Sequence, residues 1–457
     1  MENFSFLNHP LFGQQYLGKL DLDLMFSHIL KLEEFICCNR QLFIYNFRSG
    51  YYIPIPECNE WHILSVFFSN EIKETIKPRQ ANEMIERLKN TLSIQCSADN
   101  FNQSPDLINT VAGPLNYTTK EICEDSASYR FNYRLNVKYL NNCSLNDAPT
   151  FKKFCETSLE GSPEKIKLFL QILGYLSIPS LAAKKCFIFL GAPNSGKSQL
   201  LHLIENIFGE ENISNISLNK LGDRFSIAQL SRSRLNICGE LSGKILRNID
   251  TFKLIVGGDR LSGEFKNKDI FTFKNQCKLI FAGNMLPPIQ NEEISSAFAD
   301  RLTILYFPNQ VPVGERDVDL LNKLIKEKNI IFSLGIDTLS DLISSNYEFI
   351  VPNDSKEILS DYSYQQFSID EFLDESCELG PDYRIHTSDL YAAYKSFCQS
   401  NAIDAISVNL FSQKIGTIKG VKASRFHIDG SKSLRGFTGV TLKHNLQDSD
   451  LYSRGEK

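Results

Sequence analysis

Eight consecutive residues have the types and spacing of a phosphate-binding loop: Gly191, Ala192, Pro193, Asn194, Ser195, Gly196, Lys197 and Ser198. They match the pattern G-x-x-x-x-G-K-S/T, in which the glycines let the backbone turn and bring its N–H groups close to an anion. The lysine can reach the β- and γ-phosphates, and the serine hydroxyl can ligate Mg²⁺. All eight are therefore predicted to bind a nucleoside triphosphate.

The residues around this loop predict the elements that would hold it. The apolar run 186–190 is typical of a buried strand. Apolar residues at 200, 201, 204 and 207 recur at helical spacing, so the loop opens into an amphipathic helix whose positive end faces the phosphates. The alternative is a glycine-rich turn with an incidental lysine. A strand before the loop and a helix after it favour the phosphate site.

Two further apolar stretches end in polar residues with possible catalytic roles. Residues 234–241 contain Glu240, and residues 278–284 end at Asn284. Ligands of parallel α/β sheets lie beyond the carboxyl ends of the strands, so both side chains are expected near the phosphates. Glu240 would polarise the attacking water or hold Mg²⁺, directly or through water. Gly239 precedes it where a second acid is usual, so one carboxylate would serve both roles.

Each of these residues also has an ordinary structural interpretation. A single strand-end glutamate is commonly a solvated surface residue. A Gly-Asn pair is a turn signal, although Asn284 could also hydrogen-bond the γ-phosphate or the attacking water.

Arg301 lies where a short helix, beginning near residue 297, is predicted to run into a strand. At that junction it could enter the site of a neighbouring subunit as an arginine finger. An ion pair within the chain, with Asp300 or another acid, is the alternative.

A lysine-rich turn separates two apolar stretches between residues 252 and 273. The segment Lys266-Asn267-Lys268-Asp269 therefore predicts a β-hairpin with two lysines at its tip. Such a tip is ordinarily a solvated turn. In a ring of subunits, however, the same lysines would face a channel and contact a single-stranded backbone.

The bulk composition sets limits on the class of protein. The chain has 457 residues, 42% hydrophobic and 23% charged, with a net charge of −5. These values are ordinary for a soluble protein of two to four domains, with no general attraction to nucleic acid. No run of about 18 apolar residues could span a bilayer, and the N-terminus lacks a secretion signal. The 12 cysteines contain no C-x-x-C pair, which favours a reducing compartment without zinc.

Alternating strands and helices over 184–308 predict a parallel α/β sheet that positions the loop. Upstream, residues 42–54 predict two strands around the turn Arg48-Ser49-Gly50, residues 60–93 two helices separated by Pro78, residues 99–114 a loop, and residues 150–176 helices. Downstream, residues 317–342 predict helices packed over the nucleotide.

The net charge of the C-terminal region changes from negative to positive along the chain. Residues 354–402 carry ten acids and three bases, whereas 403–443 carry seven bases and two acids. A helix at 409–415 and two strands around Asp429-Gly430-Ser431 complete a helix, helix, helix, hairpin order, which predicts a winged helix. Its positive residues would hold duplex DNA through phosphates, unless the unit serves protein contacts instead. The predicted DNA contacts are Lys414, Lys422 and Arg425.

The order of these features resembles the superfamily 3 helicases, most closely the phage and plasmid primase–helicase group that includes the poxvirus primase–helicase. The shared features are the phosphate loop, the strand ending at Glu240, Gly257-Gly258-Asp259 with its lysine hairpin, Gly283-Asn284 and Arg301. The resemblance implies an α/β fold with an AAA+ core, a mainly helical N-terminal region and a C-terminal winged helix. It also implies a homohexamer that hydrolyses ATP with Mg²⁺ and moves 3′–5′ on single-stranded DNA. A replication polymerase or primase is an implied partner.

By position, the resemblance assigns ATP and Mg²⁺ binding to Lys197 and Ser198, the Walker B role to Glu240, the sensor role to Asn284 and the finger to Arg301. Lys266 and Lys268 match the DNA-binding hairpin. The implied location is the cytoplasm of a bacterial host, or the matrix or stroma of an organelle.

The resemblance also divides the chain. The predicted units are an N-terminal region of unknown role (1–98), a helical preface (99–178), the AAA+ core (179–310), a helical lid or linker (311–355), a winged helix (356–443) and a disordered tail (444–457). The preface contains the turn Asp106–Asn116, where Ala112-Gly113 replaces the family's Asn-Gly. No acidic metal-binding motif precedes it, so primase activity is not expected. An ATP-gated origin-binding initiator and a nucleotide-binding relic are the alternative functions.

Overall fold

The structure is a computed structural model that describes residues 35–56, 78–241, 249–287, 298–401, 405–426 and 433–443, together with Phe26 and Glu60. Predictions for the first helix of 60–93, the turn at 429–431 and the tail at 444–457 lie outside these residues.

A small sheet forms the first part of the described chain, so the expectation of a mainly helical N-terminal region is wrong for these residues. The elements are β1 (Phe35–Cys38), β2 (Gln41–Asn46), β3 (Tyr51–Pro54), helix α1 (Pro78–Lys89) and β4 (Gln95–Cys96). The spatial order of the strands is β3-β2-β1-β4, with antiparallel pairing except between β1 and β4, which are parallel. The predicted strands around residues 48–50 are confirmed, since the N–H groups of Ser49 and Gly50 donate to the Asn46 carbonyl.

The segment predicted as a loop at 99–114 is instead partly a hairpin, so that prediction is wrong. Strand β5 (Leu107–Thr110) pairs with β6 (Gly113–Asn116), and the Thr110 hydroxyl donates to the Gly113 carbonyl over 2.7 Å. The Asn- and Pro-rich composition pointed to a loop, but Leu107, Ile108 and Leu115 are buried in the main core. Their burial stabilises the pairing.

Two helices lead into the central sheet, as the periodicity of 150–176 predicts. They are α2 (Pro149–Ser158) and α3 (Pro163–Ser177), and both bury an aromatic face in the main core. Proline begins each helix, where its missing N–H is not needed. The Ser162 hydroxyl caps α3 by accepting from the Lys165 N–H.

The central sheet and its helices are built from β7 (Cys186–Gly191), α4 (Lys197–Phe208), β8 (Ile213–Ser214), α5 (Arg224–Leu230), β9 (Leu235–Cys238), α6 (Ile249–Gly257), β12 (Lys278–Gly283) and β13 (Leu302–Phe307). The five strands lie in the order β13-β7-β12-β9-β8, all parallel. The predicted parallel α/β arrangement is therefore confirmed. Every residue of β7 and β12 is buried, as expected for strands covered on both faces.

The predicted lysine hairpin is confirmed as an element. Strand β10 (Arg260–Glu264) pairs antiparallel with β11 (Ile270–Lys274), and both precede β12 in the chain. Gly263 packs on α5 so closely that an added Cβ would lie 2.8 Å from the Ala228 Cα. A larger residue at Gly263 would therefore push the hairpin away from the sheet.

The predicted helices after the sheet are present as α7 (Leu320–Asp337) and α8 (Leu339–Ser344). Helix α7 packs along α3, and its Lys328 ammonium donates to Asn206. Asn206 lies nine residues into α4 after Lys197, about 13 Å from the phosphate loop. Helix α7 therefore supports the C-terminal part of α4, and the packing of these helices over a nucleotide stays a prediction.

The C-terminal residues form a separate apolar core of three helices and a three-stranded antiparallel sheet. The elements are α9 (Asn353–Ser376), β14 (Cys377–His386), α10 (Thr387–Ser400), α11 (Val408–Ile415), β15 (Lys422–Phe426) and β16 (Leu434–Leu442). The strands lie in the order β14-β16-β15. The sequence does not predict β14, because its acids and its Gly-Pro pair hide the strand pattern.

Within the described residues, no helix is long and apolar enough to cross a membrane. The same part of the chain contains no cluster of three or more His, Cys, Asp or Glu that could hold a metal ion.

Candidate functional site

The phosphate loop connects the end of β7 to the start of α4 and fits tightly against its surroundings. Gly191 lies beside Phe307, the last residue of β13, so closely that an added Cβ would collide with the Phe307 carbonyl. Gly196 has a φ of +99° and packs against α2, where an added Cβ would lie 2.7 Å from the Ser158 hydroxyl. Both glycines are therefore required by close packing, and Gly196 also by its left-handed backbone.

Lys197 lies inside this loop with only 8% of its surface exposed. Its ammonium donates to the carbonyls of Gly191 over 2.7 Å and of Ala192 over 2.6 Å, and to the Ser195 hydroxyl over 3.2 Å. Burial lowers the pKa of Lys197. The ammonium is thus held at the centre of the loop by neutral oxygens, which is a position from which it can exchange them for phosphate oxygens.

Asn284 reaches the same point from the neighbouring strand. It follows the last residue of β12, whose Gly283 pairs with Leu190 of β7. Its Oδ1 atom lies 3.4 Å from the Lys197 ammonium, and the residue is exposed to solvent. The structure therefore brings together the lysine and the asparagine that the sequence predicts to converge.

Glu240 lies at the same edge of the sheet but is not among the partners of Lys197 in the described part of the chain. Strand β9 ends at Cys238, earlier than predicted, and Glu240 is exposed two residues later. The Leu241 N–H donates to the Ala282 carbonyl of β12 over 2.8 Å, which keeps this segment beside β12. Because β12 separates β9 from β7, Glu240 is about 10 Å to the side of the phosphate loop. That spacing suits contact through water or a metal rather than direct contact.

Gly239 has open space around it. An added Cβ would meet no atom within 4 Å among the described residues, and its backbone is not left-handed. A second acid at this position would therefore fit the structure without strain.

Arg301 lies at the opposite edge of the same sheet. It directly precedes β13, and its carbonyl accepts the N–H of Cys186, the first residue of β7, over 2.7 Å. The phosphate loop begins at the other end of β7, six residues or about 20 Å away. In this arrangement Arg301 and the phosphate loop of one chain cannot act on the same phosphate.

The structure adds a neighbour of the loop that no sequence pattern indicated. The Val311 N–H donates to the Asn194 carbonyl over 3.0 Å, so the segment after β13 lies against the phosphate loop. Asn194 itself has a φ of +61°. The contact joins residues more than a hundred positions apart. Because it uses only backbone atoms, the residue types at the two positions could not predict it.

The tip of the β10–β11 hairpin presents Lys266 and Lys268 to solvent, as predicted. Below the tip, the Phe265 and Phe271 rings are stacked at 5.2 Å, and the Arg232 guanidinium lies 4.1 Å over the Phe265 ring. These contacts stiffen the hairpin and add a further positive group beside its lysines.

The base of the hairpin is bonded to the N-terminal part of the chain through one carboxylate. Asp99 forms an ion pair with Arg260 over 2.6 Å and accepts the Lys274 N–H over 3.0 Å. Arg260 and Lys274 pair with each other as the first and last residues of the hairpin. A single side chain therefore holds both ends of the hairpin.

The three predicted DNA contacts of the C-terminal unit differ in exposure. Lys422 and Arg425 are exposed on the edge strand β15, where they are free to meet phosphates. Lys414 is only 7% exposed, and burial lowers its pKa to about 8. The prediction that Lys414 contacts DNA is not supported, because its ammonium points into the unit, where Asp370 interacts with it.

Comparisons with known proteins match three separate parts of the chain. Residues 46–160 match the family described as D5 N terminal like, residues 189–301 a family of unknown function (DUF5906), and residues 368–438 the family described as Poxvirus D5 protein-like. D5-like segments thus lie on both sides of the phosphate-loop sheet. They support the resemblance to a phage primase–helicase-like family.

Solved structures show a similar fold at low sequence identity. The apo structure of the NrS-1 C terminal region has a TM-score of 0.52 and 15% identity, over 92% of this chain and 100% of that chain. The A form apo structure of the same region has a TM-score of 0.49 and 14% identity over the same shares. The first of these supports the mixed α/β fold described above.

Proposed function

We propose that this chain is an ATP-dependent DNA helicase that acts as a homohexameric ring and moves 3′–5′ in the replication of a phage, plasmid or integrated element. Its central sheet would be an AAA+ P-loop core, and its C-terminal unit a winged helix. The observation that carries the proposal is the buried Lys197 ammonium, enclosed by the phosphate loop and 3.4 Å from Asn284.

The side chains at the carboxyl edge fit ATP and Mg²⁺. Backbone N–H groups of the loop and the start of α4 suit phosphates, and Lys197 supplies positive charge. The exposed Ser198 hydroxyl and the Glu240 carboxylate are oxygen ligands of the kind that Mg²⁺ prefers. Bound Mg²⁺ would neutralise the developing phosphate charge. Asn284 would orient the attacking water or the γ-phosphate, and Glu240 would accept the proton of that water.

The opposite edge of the sheet supports an arrangement of several subunits. Arg301 lies about 20 Å from the phosphate loop of its own chain, so an arginine finger at this position must serve a neighbour. Exposed Lys266 and Lys268 lie on a hairpin that leads directly into β12, whose end carries Asn284. A change at the γ-phosphate that moves Asn284 could therefore reach the proposed DNA contact through β12, which directly follows the hairpin in the chain.

Purified full-length protein tests the proposal in two assays with Lys197→Ala as the matched control. We expect ATP hydrolysis that single-stranded DNA stimulates, together with strand displacement on a duplex with a free 3′ single-stranded arm. If the wild type hydrolyses no more ATP than Lys197→Ala, the proposal of an active ATPase is overturned, and the chain would be a nucleotide-binding relic. Strand displacement only on a duplex with a 5′ single-stranded arm would overturn the proposed 3′–5′ direction of movement.

An origin-binding initiator is the second candidate function, favoured by the exposed basic strand β15. It would hydrolyse ATP and bind duplex DNA without displacing a strand at the same ATP turnover. Lys422→Ala with Arg425→Ala separates the two functions. The variant should lose duplex binding in both cases but retain displacement on a preformed fork only if the chain is a helicase.

A further inference from the structure

Two cysteines of the N-terminal sheet lie side by side on adjacent strands. Cys38 ends β1 and Cys96 ends β4, and the parallel register pairs the two residues directly. Paired residues of neighbouring strands have Cα atoms about 4.8 Å apart and side chains on the same face. Both side chains contribute to the same apolar cluster, beside Phe101. This spacing falls within the range that a disulfide requires, about 4.4–6.8 Å between Cα atoms.

The two thiols differ in the way a reactive pair differs. Cys96 is partly exposed, whereas Cys38 is 6% exposed. The pKa of Cys96 is lowered chiefly by the Cys38 thiol, with a further contribution from the Arg130 guanidinium. The same interaction raises the pKa of Cys38. An accessible, more acidic thiol beside a buried, less acidic one is the arrangement of a nucleophilic and a resolving cysteine.

We propose that Cys38 and Cys96 form a peroxide-reactive pair that closes into a disulfide and thereby restrains the base of the lysine hairpin. The structure provides the site, and a hydroperoxide such as hydrogen peroxide provides the oxidant. The effect on DNA contacts rests on the function proposed above, whereas formation of the disulfide does not.

The chemistry balances in two steps. The Cys96 thiolate attacks a peroxide oxygen, so that an S–O bond forms, the O–O bond breaks and hydroxide leaves. The Cys38 sulfur then attacks the Cys96 sulfur, forming the S–S bond and breaking the S–O bond. The departing hydroxide takes the Cys38 proton and becomes water. The two sulfurs together lose two electrons, which the peroxide gains.

A short segment links this pair to the hairpin. Asp99, three residues after Cys96, bonds both Arg260 and Lys274 at the base of the hairpin. The residues between them are held in a capping box formed by Ser97 and Asn100. A disulfide would fix Cys96 to β1, so Asp99 and the hairpin base would lose freedom to move with nucleotide state.

Peptide mapping of the peroxide-treated native protein tests the modification itself. After a stoichiometric dose and alkylation, we expect a cross-linked peptide that joins Cys38 to Cys96 and lacks two hydrogen masses, and that dithiothreitol reverses. Cys38→Ser should instead leave a sulfenic acid on Cys96 that a dimedone probe captures. Cys143→Ser is the matched control, since Cys143 is also partly exposed but has no paired cysteine opposite it among the described strands, and burial raises its pKa. No Cys38–Cys96 peptide, or equal labelling of Cys143, overturns the proposal.

Single-strand affinity tests the link to the hairpin. Binding of labelled oligonucleotide should change by at least about threefold between oxidised and reduced wild type, and stay constant in Cys38→Ser. An unchanged affinity with the disulfide present overturns the link. If the protein binds no oligonucleotide in either redox state, the proposed DNA-binding function is contradicted instead. The peptide-mapping result would still stand, because disulfide formation does not depend on that function.

Discussion

The two edges of the central sheet carry similar residue types in very different environments. At the carboxyl edge, the exposed Asn284 after β12 reaches the buried Lys197 ammonium of the loop after β7, and Glu240 after β9 is exposed to one side of them. At the amino edge, a basic residue stands at or directly before the start of four of the strands. These four residues are Lys185, Arg234, Lys278 and Arg301.

Most of the charge at the amino edge is used for structure. The Lys278 ammonium donates to the carbonyls of Leu176 and Ile178 and lies 4.8 Å over the Tyr175 ring. It therefore satisfies carbonyl groups at the C-terminal end of α3. Lys185 donates to the Asp300 carbonyl over 2.5 Å and thereby holds the turn that carries Arg301. A basic residue at this edge is therefore not by itself a functional one. Arg301 differs by the role predicted for it, at a predicted helix–strand junction.

Arg301→Ala gives the sharpest test of this contrast. We expect ATP hydrolysis to fall by about a thousandfold while nucleotide binding survives, because the guanidinium would act on the site of a neighbour. Steady-state hydrolysis and binding of a fluorescent ATP analogue measure the two properties. Mixing with Lys197→Ala should restore part of the activity, since a mixed interface can join one intact loop to one intact finger. Arg79→Ala, at an exposed position of α1, is the control. Loss of nucleotide binding in Arg301→Ala would contradict a role in trans.

Asn284→Ala tests the carboxyl edge. Removing the amide that lies 3.4 Å from Lys197 should lower kcat by about tenfold to a hundredfold, with a smaller effect on nucleotide affinity, because the group would act on the reacting water or γ-phosphate. Asn309→Ala is the matched control at the same edge, where its side chain bonds the Thr157 carbonyl. Equal effects of the two substitutions would show that Asn284 serves the packing of this edge rather than the reaction.

Lys266→Ala with Lys268→Ala tests the hairpin. Loss of two phosphate contacts should weaken single-strand binding and reduce the slope of log affinity against log salt by about 1.4. Hydrolysis without DNA should stay near wild type. The exposed pair Lys323→Ala with Lys326→Ala on α7 is the control. A slope that is the same in the hairpin variant and the wild type would remove the hairpin from the mechanism.

Lys278→Met tests the structural role of a buried charge. We expect the free energy of unfolding to fall by about 1–3 kcal/mol, because the carbonyls at the end of α3 lose their donor, while kcat of the folded protein is unchanged. Burial places the pKa of Lys278 well below its ordinary 10.5. Between the two values the unfolded chain binds the proton and the folded chain does not, so this residue makes stability rise with pH toward 10.5.

Denaturant titrations at several alkaline pH values measure this contribution of Lys278 to the pH dependence of stability. The rise of stability with pH should be present in the wild type and absent in Lys278→Met. Lys274→Met, at an exposed position, is the control. A change in kcat would place Lys278 in the mechanism.

Local patterns in the sequence predicted the loop, the strands that flank it and the lysine hairpin. Asn284 could be placed near Lys197 because parallel strands bring their carboxyl ends to one edge. The same reasoning placed Glu240 at that edge but could not give its lateral distance, which depends on the order of strands. The strands at 107–116 and 377–386 were missed, because turn-forming residues in both segments masked apolar positions that are buried only through contacts elsewhere in the chain.

Glycine, lysine and serine at fixed spacing specify the chemistry of the phosphate loop locally, since they act over a few bonds. Which basic residues meet solvent depends on the folded chain: Lys266 and Lys422 do, whereas Lys278 and Lys414 do not. The environment of a charge is set by the water and partners around it. Those partners come from segments far apart in the chain, as the bonds from Asp99 to the hairpin also show.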